Sequence, residues 1–303
     1  MTTVRELAAR IKIAGALRFG EPLADHTSFR IGGPADLYAA PSSVEELTLI
    51  LAETARAGLP CFILGGGTNL LVSDRGIRGV VVDLTALDGV QSDGTLLSAL
   101  GGTQVSAVSE AALRQGLAGL EFAYSLPGTV GGAVWMNARC FEREVSDVVE
   151  FVDYLDADLV TRRHAIDRSQ WRYKVSPFQS MRGVILRAGF RLAAGETRAI
   201  ETRMKGHRAD RESKGHFLYP CAGSVFKNNR AFGAPTGQII DSLGLKGRAI
   251  GGAQVAPYHG NIVINTGGAT ARDVLSLIEL MEEEALRARG FRLEREVILA
   301  GDW

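Results

Sequence analysis

The 303-residue sequence predicts an α+β fold in which two lobes of mixed strands and helices precede a C-terminal α+β domain. Three observations support this prediction. Strand–helix–strand order spans residues 36–84, and a second group of strands around a helix spans residues 96–192. The last third of the chain differs in character and ends with the clearest helical pattern, over residues 270–289.

Composition and charge exclude several classes of function. Lys+Arg and Asp+Glu number 34 each, so charge gives no reason to expect nucleic acid or a membrane surface as a partner. The cysteines (Cys61, Cys140 and Cys221) form no CxxC pair, and the five histidines lack ligand spacing, so we expect no metal site. Without a signal peptide or a long apolar run, we expect a cytoplasmic protein. A monomer is compatible with the sequence, which does not fix the oligomeric state.

Helical periodicity and capping signals define the first lobe. Residues 1–20 are predicted to form one amphipathic helix, with Val4, Leu7, Ala8 and Ile11 on its apolar face. A capping box at residues 43–46 predicts a second helix that ends at Gly58. The predicted strands are residues 36–40, 60–64, 70–72 and 80–84.

The remaining elements follow from the same signals. The predicted helices are residues 105–115, 201–214, 237–243 and 270–289, the last of which stops at Gly290. The predicted strands are residues 96–101, a hairpin of 148–155 and 160–166, 184–192, a strand–turn at 222–229, strands within 251–265, and a final strand at 293–300.

Two glycine-rich stretches follow apolar segments. Gly65–Asn69 reads GGGTN, and Ser125–Asn137 reads SLPGTVGGAVWMN. Neither is a Walker loop or a GxGxxG fingerprint, and each alone is also consistent with a plain turn. Glycines at a strand end can direct backbone N–H groups at a pyrophosphate, and two such loops could hold one long cofactor such as a flavin dinucleotide.

Ser224 is the best candidate for a reactive side chain. It follows Gly223 and precedes Lys227, and no GxSxG motif or partnered histidine accompanies it. A serine hydrolase is therefore disfavoured, whereas a serine that donates a proton to a carbanion-like centre is compatible with these neighbours. The alternative is a polar strand end. For Glu294 and Glu296, the residues alone favour a solvated strand edge over a catalytic role.

Several motifs, in order and at matching spacing, resemble those of the UDP-N-acetylenolpyruvoylglucosamine reductase (UDP-N-acetylmuramate dehydrogenase) family. The resemblance runs nearly end to end. The matching segments are His26–Ala35, Leu64–Val72, Leu126–Ala133 with Met136 and Asn137, Ala222–Asn228, Ile250–Val255 and Leu293–Val297.

The resemblance implies a two-lobed FAD-binding domain of the vanillyl-alcohol-oxidase (PCMH) type and a C-terminal α+β substrate domain. The implied organisation is an N-terminal helical segment at 1–28, an FAD-binding domain at 29–194 with lobes at about 29–88 and 89–194, and a substrate domain at 195–303. The final strand of the substrate domain is expected to return to the FAD domain.

The resemblance also implies the reaction and its cofactors, FAD and NADPH. NADPH reduces the flavin, hydride passes to the β-carbon of an enolpyruvyl ether of a UDP-sugar, and a serine protonates the α-carbon. The implied cofactor-binding residues are Gly65, Gly66, Gly67, Thr68, Asn69, Ser125, Pro127, Gly128, Thr129, Gly131 and Gly132.

By motif, the proton donor is Ser224 and the family's catalytic glutamate is Glu296. The family's arginine, which binds the substrate carboxylate, is Lys174 here, within Tyr173-Lys-Val-Ser176. A lysine supplies charge but not a planar, bidentate fork. Either Lys174 acts with altered geometry, or Arg172 or Arg187 reaches the site. The implied substrate-binding residues are Tyr173, Lys214, Lys227, Asn228 and His259.

Two further departures from the family pattern concern loops. The usual Asn-Ala-Gly reads Asn137-Ala-Arg139 here. The short interval between Tyr173 and Ser224 predicts the shorter variant of the family, without a substrate-capping tyrosine loop.

Two alternative functions remain open at the level of sequence. One is a flavin oxidase of the same wider fold, whose FAD is often tethered through His or Cys. Neither glycine loop contains such a residue, although Cys61 and Cys140 lie nearby in sequence. The other is a non-catalytic flavin- or nucleotide-binding relative, which only Lys174 supports.

Overall fold

The computed structural model describes residues 3–303, and the chain divides into two compact units that interleave along the sequence. The first unit comprises residues up to Phe19, Leu37–Gly66 and Gly79–Asp210. The second comprises Gly20–Asp36, Gly67–Arg78 and Arg211–Trp303. No helix in residues 3–303 combines the length and apolarity that crossing a bilayer requires.

Most predicted elements are present within a few residues of their expected ends. The helices are α1 (Val4–Ala8), α2 (Val44–Ala57), α3 (Val105–Arg114), α4 (Val130–Trp135), α5 (Thr197–Ser213), α6 (Thr236–Ser242) and α7 (Ala271–Arg289). The strands of the N-terminal half are β1 (Ala16–Pro22), β2 (Pro34–Ala40), β3 (Cys61–Leu64), β4 (Leu70–Val72), β5 (Ile77–Asp83), β6 (Val90–Asp93), β7 (Leu96–Leu100), β8 (Leu117–Ala118), β9 (Arg139–Cys140), β10 (Arg143–Glu144) and β11 (Val149–Leu155). The remaining strands are β12 (Thr161–Ala165), β13 (Val184–Arg191), β14 (Ala193–Ala194), β15 (Ala249–Ile250), β16 (Ala253–Val255), β17 (Val263–Asn265) and β18 (Ile298–Ala300).

The single helix predicted over residues 1–20 is wrong for residues 3–20, while residues 1 and 2 lie outside the described part of the chain. Its first turn is present because Thr3 and Glu6 form a reciprocal capping box, but α1 ends at Ala8 and the chain continues into strand β1. Leu7 and Ile11 are nevertheless both buried in the same core. The helical spacing of apolar residues is thus satisfied by one short helix and an irregular turn, while sheet pairing determines the structure of the residues that follow.

No regular strand forms at residues 222–229, where a strand–turn is predicted, and the strand predicted at residues 293–300 is shorter than expected. The regular part of the C-terminal strand is only β18, which pairs in parallel with β4. Upstream of it, Phe226 and Arg295 form an isolated antiparallel bridge. The two segments therefore lie side by side through a few backbone contacts, without a regular ladder.

Two sheets and two apolar cores organise the first unit. A sheet of order β1-β2-β5-β3 packs against α2, and the antiparallel sheet β12-β11-β13-β7-β6 packs against α3 and α4. The predicted hairpin is confirmed as β11 and β12, with Leu155 opposite Thr161. Helix α2 starts at the predicted cap, since Ser43 Oγ accepts from Glu46 N, and it ends at left-handed Gly58.

The main core of the second unit is built around α7 and the meander β15-β16-β17, beside a smaller apolar cluster of Ala256, Ile262 and Ile264. Val274, Ile278, Met281 and Ala285 of α7 are fully buried in the main core, as their spacing predicts. Phe29, from the early part of the chain, is buried in the same core.

We predict that the cap of α7 contributes measurably to stability. Thr270 Oγ1 accepts from Asp273 N at 3.0 Å, and Thr270 N donates to the Asp273 carboxylate at 3.0 Å. Thr270→Ala should lower the free energy of unfolding by about 1 kcal/mol in urea denaturation, because an N–H at the helix start loses its acceptor. Thr270→Ser keeps the hydroxyl and should unfold like the parent protein. Equal midpoints for the alanine and serine variants would show that the cap is dispensable.

Candidate functional site

The two predicted glycine loops lie against each other in the first unit. A Cβ placed on Gly65 would lie 2.6 Å from Oγ1 of Thr129, and one placed on Gly66 would lie 2.8 Å from Cα of Gly128. The contact at Gly66 is with backbone and leaves no room for a side chain, whereas a side chain at Gly65 would require the Thr129 hydroxyl to rotate away. The two loops, remote in sequence, therefore pack closely against each other and form one glycine cradle.

Neighbouring backbone holds the second loop in place. Ser125 has φ +68° and Gly128 has φ +105°, so the loop makes two turns in the left-handed region. Val105 N donates to Gly128 O at 3.0 Å, and Val130 N donates to Thr103 O at 2.8 Å. The loop is therefore fixed on both sides of its central turn and is pre-organised for binding.

Two buried hydroxyls of this loop test whether it fits a cofactor. Ser125 Oγ and Thr129 Oγ1 have no hydrogen-bond partner within residues 3–303, and the two residues are 8% and 2% exposed. A buried hydroxyl without a partner costs about 1–3 kcal/mol. Thr129 is the N-cap of α4, yet its side chain does not cap the helix. Two such groups in one glycine cradle fit the polar edges and the pyrophosphate of FAD.

The rest of the first glycine loop belongs to the second unit. Gly67 has φ +60°, and any side chain there would overlap the carbonyl of His26. Ser28 N donates to Gly67 O at 3.1 Å. Asn69 Nδ2 donates to the backbone oxygen of Glu296 at 3.0 Å, so the last residue of the loop contacts a predicted catalytic segment.

In the second unit, the structure brings the segments of Ser224 and Glu296 together. Glu296 N donates to Val225 O at 2.7 Å, and Lys227 N donates to Glu294 O at 2.8 Å. Both Ser224 and Glu296 are partly buried. Two candidates that the sequence places on separate segments thus lie on adjacent extended backbones.

Asn261 supports this arrangement, and sequence reasoning missed it. Its Oδ1 accepts from Phe226 N at 2.9 Å, its Nδ2 donates to Phe226 O at 2.8 Å, and its carbonyl accepts from Val225 N at 2.9 Å. The side chain is 2% exposed. The backbone on the C-terminal side of Ser224 is therefore held by one buried amide, whose role depends on folding rather than on any local motif.

His259, a predicted substrate-binding residue, lies beside this amide. Its Nδ1 accepts from Asn261 N at 3.1 Å, which leaves Nε2 to carry the proton of the neutral ring. Burial holds the pKa of His259 below its ordinary value, and the positive charges of Lys214 and Lys246 lower it further. The ring is thus neutral at pH 7.

The predicted substrate ligands Lys227 and Asn228 both have structural partners. Lys227 Nζ lies 2.6 Å from Oε1 of Glu294. Asn228 Oδ1 accepts from Thr236 N at 2.8 Å, and Thr236 Oγ1 donates to Lys227 O at 2.8 Å. These contacts fix the backbone that follows Ser224, and Glu294 is the acidic partner of Lys227 in that arrangement.

Lys174 lies at the tip of a tight turn in the first unit. Arg172 and Val175 exchange backbone hydrogen bonds of 3.1 and 2.9 Å, and Lys174 itself has φ +58°. Gln179 Nε2 donates to Lys174 O at 2.9 Å. The turn therefore presents Tyr173 and Lys174 in a defined, left-handed conformation.

A cleft of about 590 Å³ in the first unit has none of the predicted site residues in its lining. It contains the ion pair between Arg203 Nη2 and Glu121 Oε1, at 2.6 Å, and the stacked rings of Phe141 and His207, with centroids 3.8 Å apart. Its two acidic side chains pair with arginines of the same cleft, Glu121 with Arg203 and Asp147 with Arg143, and Arg191 pairs with Glu150 outside its lining.

The comparisons with known proteins fit this geometry. Family models match the FAD binding domain over residues 35–160 and the UDP-N-acetylenolpyruvoylglucosamine reductase C-terminal domain over residues 215–300. The reductases of that name from Treponema denticola and Caldanaerobacter subterraneus are 41% and 42% identical to this chain, each over 95% of both sequences. The chain belongs to the UDP-N-acetylenolpyruvoylglucosamine reductase family. The crystal structure of the reductase from Thermus caldophilus has a TM-score of 0.80 and 30% identity, and covers 95% of this chain and 100% of its own.

This membership confirms the resemblance and the fold class predicted from the sequence. It also confirms the oxidoreductase assignment and the two cofactors, FAD and NADPH. The roles assigned to individual site residues stay predictions, as do the predicted domain boundaries.

We predict that Thr129 binds the cofactor and contributes little to the stability of the apoprotein. Thr129→Val keeps the shape and removes a buried hydroxyl that has no protein partner, so the apoprotein should be at least as stable as wild type in thermal unfolding. The affinity for FAD should fall about 10-fold, as expected for one lost hydrogen bond. Titration of each apoprotein with FAD, followed by flavin fluorescence, measures this affinity for wild type and variant.

The matched control is Thr202→Val on α5, where the hydroxyl donates to Arg198 O on the surface. It should bind FAD like wild type. An unchanged FAD affinity in Thr129→Val would remove this residue from the cofactor site.

We predict that the protein becomes less stable as the pH is lowered, because of His259. In the folded protein the His259 ring stays neutral, whereas in the unfolded chain the same ring takes up a proton near pH 6.5. The free energy of unfolding should therefore decrease as the pH drops below about 6.5, down to the lower folded-state pKa. His259→Gln should flatten this slope, as measured by urea unfolding at several pH values. A ring that titrates near 6.5 in the folded protein by NMR would contradict the prediction.

Proposed function

We propose that this protein reduces the enolpyruvyl ether of UDP-N-acetylglucosamine to UDP-N-acetylmuramate, with NADPH as the reductant. Family membership supports the reaction, and the contact of the Ser224 segment with the Glu296 backbone is the observation in this chain that fits it best. When bound in the glycine cradle, FAD supplies the hydride to the β-carbon of the enol ether.

Ser224 is proposed as the proton donor to the α-carbon. A serine hydroxyl is a weak acid, so the alkoxide that it leaves needs stabilisation by nearby positive charge or by amide donors. The rigid backbone around Asn261 supports this role, because a proton donor must keep one position relative to its acceptor.

Glu296 and Lys174 are proposed to act around the substrate carboxylate, where negative charge develops during reduction. Lys174 supplies a positive charge, and its fixed left-handed turn supports a defined position for it. Glu296 is held through its backbone by Val225 and Asn69. These contacts support a positioned carboxylate near Ser224 rather than a solvated strand edge.

The sugar nucleotide is proposed to contact Tyr173, Lys214, Lys227, Asn228 and His259. Lys214 lies close enough to His259 for its charge to lower the pKa of the ring, which supports a shared role for these two residues. The Nε2–H of neutral His259 offers a donor to a hydroxyl or phosphate oxygen.

We propose residues 29–194 as the FAD-binding domain and residues 195–303 as the substrate domain, following residues 1–28. The matched family models, over 35–160 and 215–300, support this organisation. We also propose that the protein acts in the cytoplasm on a small-molecule substrate, since NADPH and UDP-sugars are nucleotides made inside the cell.

The proposal predicts that Ser224→Ala separates the two half-reactions. Flavin reduction by NADPH should stay near the wild-type rate, because the hydroxyl is not needed for it. Reoxidation by the enolpyruvyl sugar nucleotide should slow by at least about 100-fold, as expected for loss of a general acid. Stopped-flow absorbance of the flavin follows both steps.

Ser242→Ala, which removes a hydroxyl bonded to Ile239 O at the end of α6, is the control and should retain both rates. Reoxidation of Ser224→Ala at the wild-type rate would rule out the proton-donor role.

A further inference from the structure

We propose that Arg139 binds the carboxylate of the enolpyruvyl substrate together with Lys174, and so supplies the guanidinium that position 174 lacks. This proposal rests on the proposed function. It concerns two loops of the first unit, residues 137–146 and 171–179.

A buried asparagine fixes these two loops relative to each other. Asn137 is 0% exposed and has φ +42°. Its Nδ2 donates to Arg172 O at 3.0 Å, and its Oδ1 accepts from Ser146 N at 3.0 Å. Since Arg139 and Tyr173 each lie within two residues of this link, their backbones have one defined separation.

The Arg139 side chain extends to the turn that carries Lys174. Its guanidinium carbon lies 5.6 Å from the ring centroid of Tyr173, a cation–π contact. Strand β9, which contains Arg139, pairs with β10 and so directs the residue from a short rigid hairpin. The family pattern has glycine at position 139 and arginine at position 174. In this chain the arginine is at position 139, and its guanidinium contacts Tyr173, the neighbour of Lys174.

The hydrogen-bonding capacity of Arg139 is available to a ligand. Within residues 3–303 its charged contact is Glu144, whose Oε2 lies 3.8 Å from Nη1, beyond hydrogen-bonding distance. The other oxygen of Glu144 accepts from Ser146 Oγ at 2.8 Å. By contrast, Arg143 lies 3.2 Å from Asp147, and Arg163 lies 2.7 Å from Asp153.

A carboxylate is the ligand class that this pair of cations fits. A guanidinium presents a planar fork of N–H donors that matches two carboxylate oxygens, and an ammonium adds charge without that geometry. The cation–π contact with Tyr173 orients the guanidinium, and the Arg139 side chain is 31% exposed, so a ligand can reach it. The substrate also carries a diphosphate, and the test must separate these two anions.

The test measures binding as well as turnover. In calorimetry on the holoenzyme, Arg139→Met should lower the affinity for the enolpyruvyl sugar nucleotide about 10- to 100-fold. This is the loss expected for a charge-assisted, bidentate contact. The affinity for UDP-N-acetylglucosamine, which has the diphosphate but no carboxylate, should not change. An equal loss for both ligands would assign Arg139 to the diphosphate and overturn the proposal.

Rescue provides the second arm. Arg139→Lys should bind the enolpyruvyl substrate more tightly than Arg139→Met but less tightly than wild type. The double variant R139G/K174R should bind it more tightly than Arg139→Gly, because a guanidinium is again present, at position 174. Arg143→Met is the control and should bind like wild type. Unfolding midpoints of all variants identify any that fail to fold, and the rescue comparison then decides.

The outcomes separate this inference from the proposed function. A wild-type protein that is reduced by NADPH but not reoxidised by the enolpyruvyl substrate would refute the function itself. Wild-type turnover with unchanged substrate affinity in Arg139→Met would refute the role of Arg139 alone.

Discussion

The close approach of two backbone loops is the constraint on which the site of this protein depends. Gly66 lies so near the backbone of Gly128 that it cannot carry a side chain, and a side chain at Gly65 would displace the Thr129 hydroxyl. Peptide groups and two buried hydroxyls, rather than bulky side chains, lie along these loops, and they are the groups proposed to bind FAD. Strand β3 ends at Leu64, directly before the first loop, and α4 begins at Val130 within the second, so regular elements of the first unit hold both loops.

The sequence predicts those elements whose signals are local. Ser43 and Thr270 mark helix starts, and Gly58 and Gly290 mark helix ends, because capping depends on residues within one turn. The N-terminal segment was mispredicted, since Leu7 and Ile11 reach their core without a continuous helix. The residues after α1 form strand β1, which pairs with β2, and local periodicity does not encode such pairing between distant residues.

The site shows the same division. The glycine loops, Ser224 and Glu296 carry motifs that the sequence reveals, and the family resemblance gives them expected roles. Asn261, whose side chain holds the backbone beside Ser224, belongs to no motif and becomes visible only through its two hydrogen bonds to Phe226. Arg139 likewise reads as a surface charge until its guanidinium is found over Tyr173.

The interleaving of the two units has a consequence for how the protein can be made and dissected. Phe29, Ile31 and Leu71 are buried in the core around α7, although they precede most of the first unit in sequence. A fragment that starts at Arg211 would lack these side chains and expose the apolar surface that they cover. No single cut yields either unit intact, so truncated versions should aggregate, and the chain must be nearly complete before its second core can close.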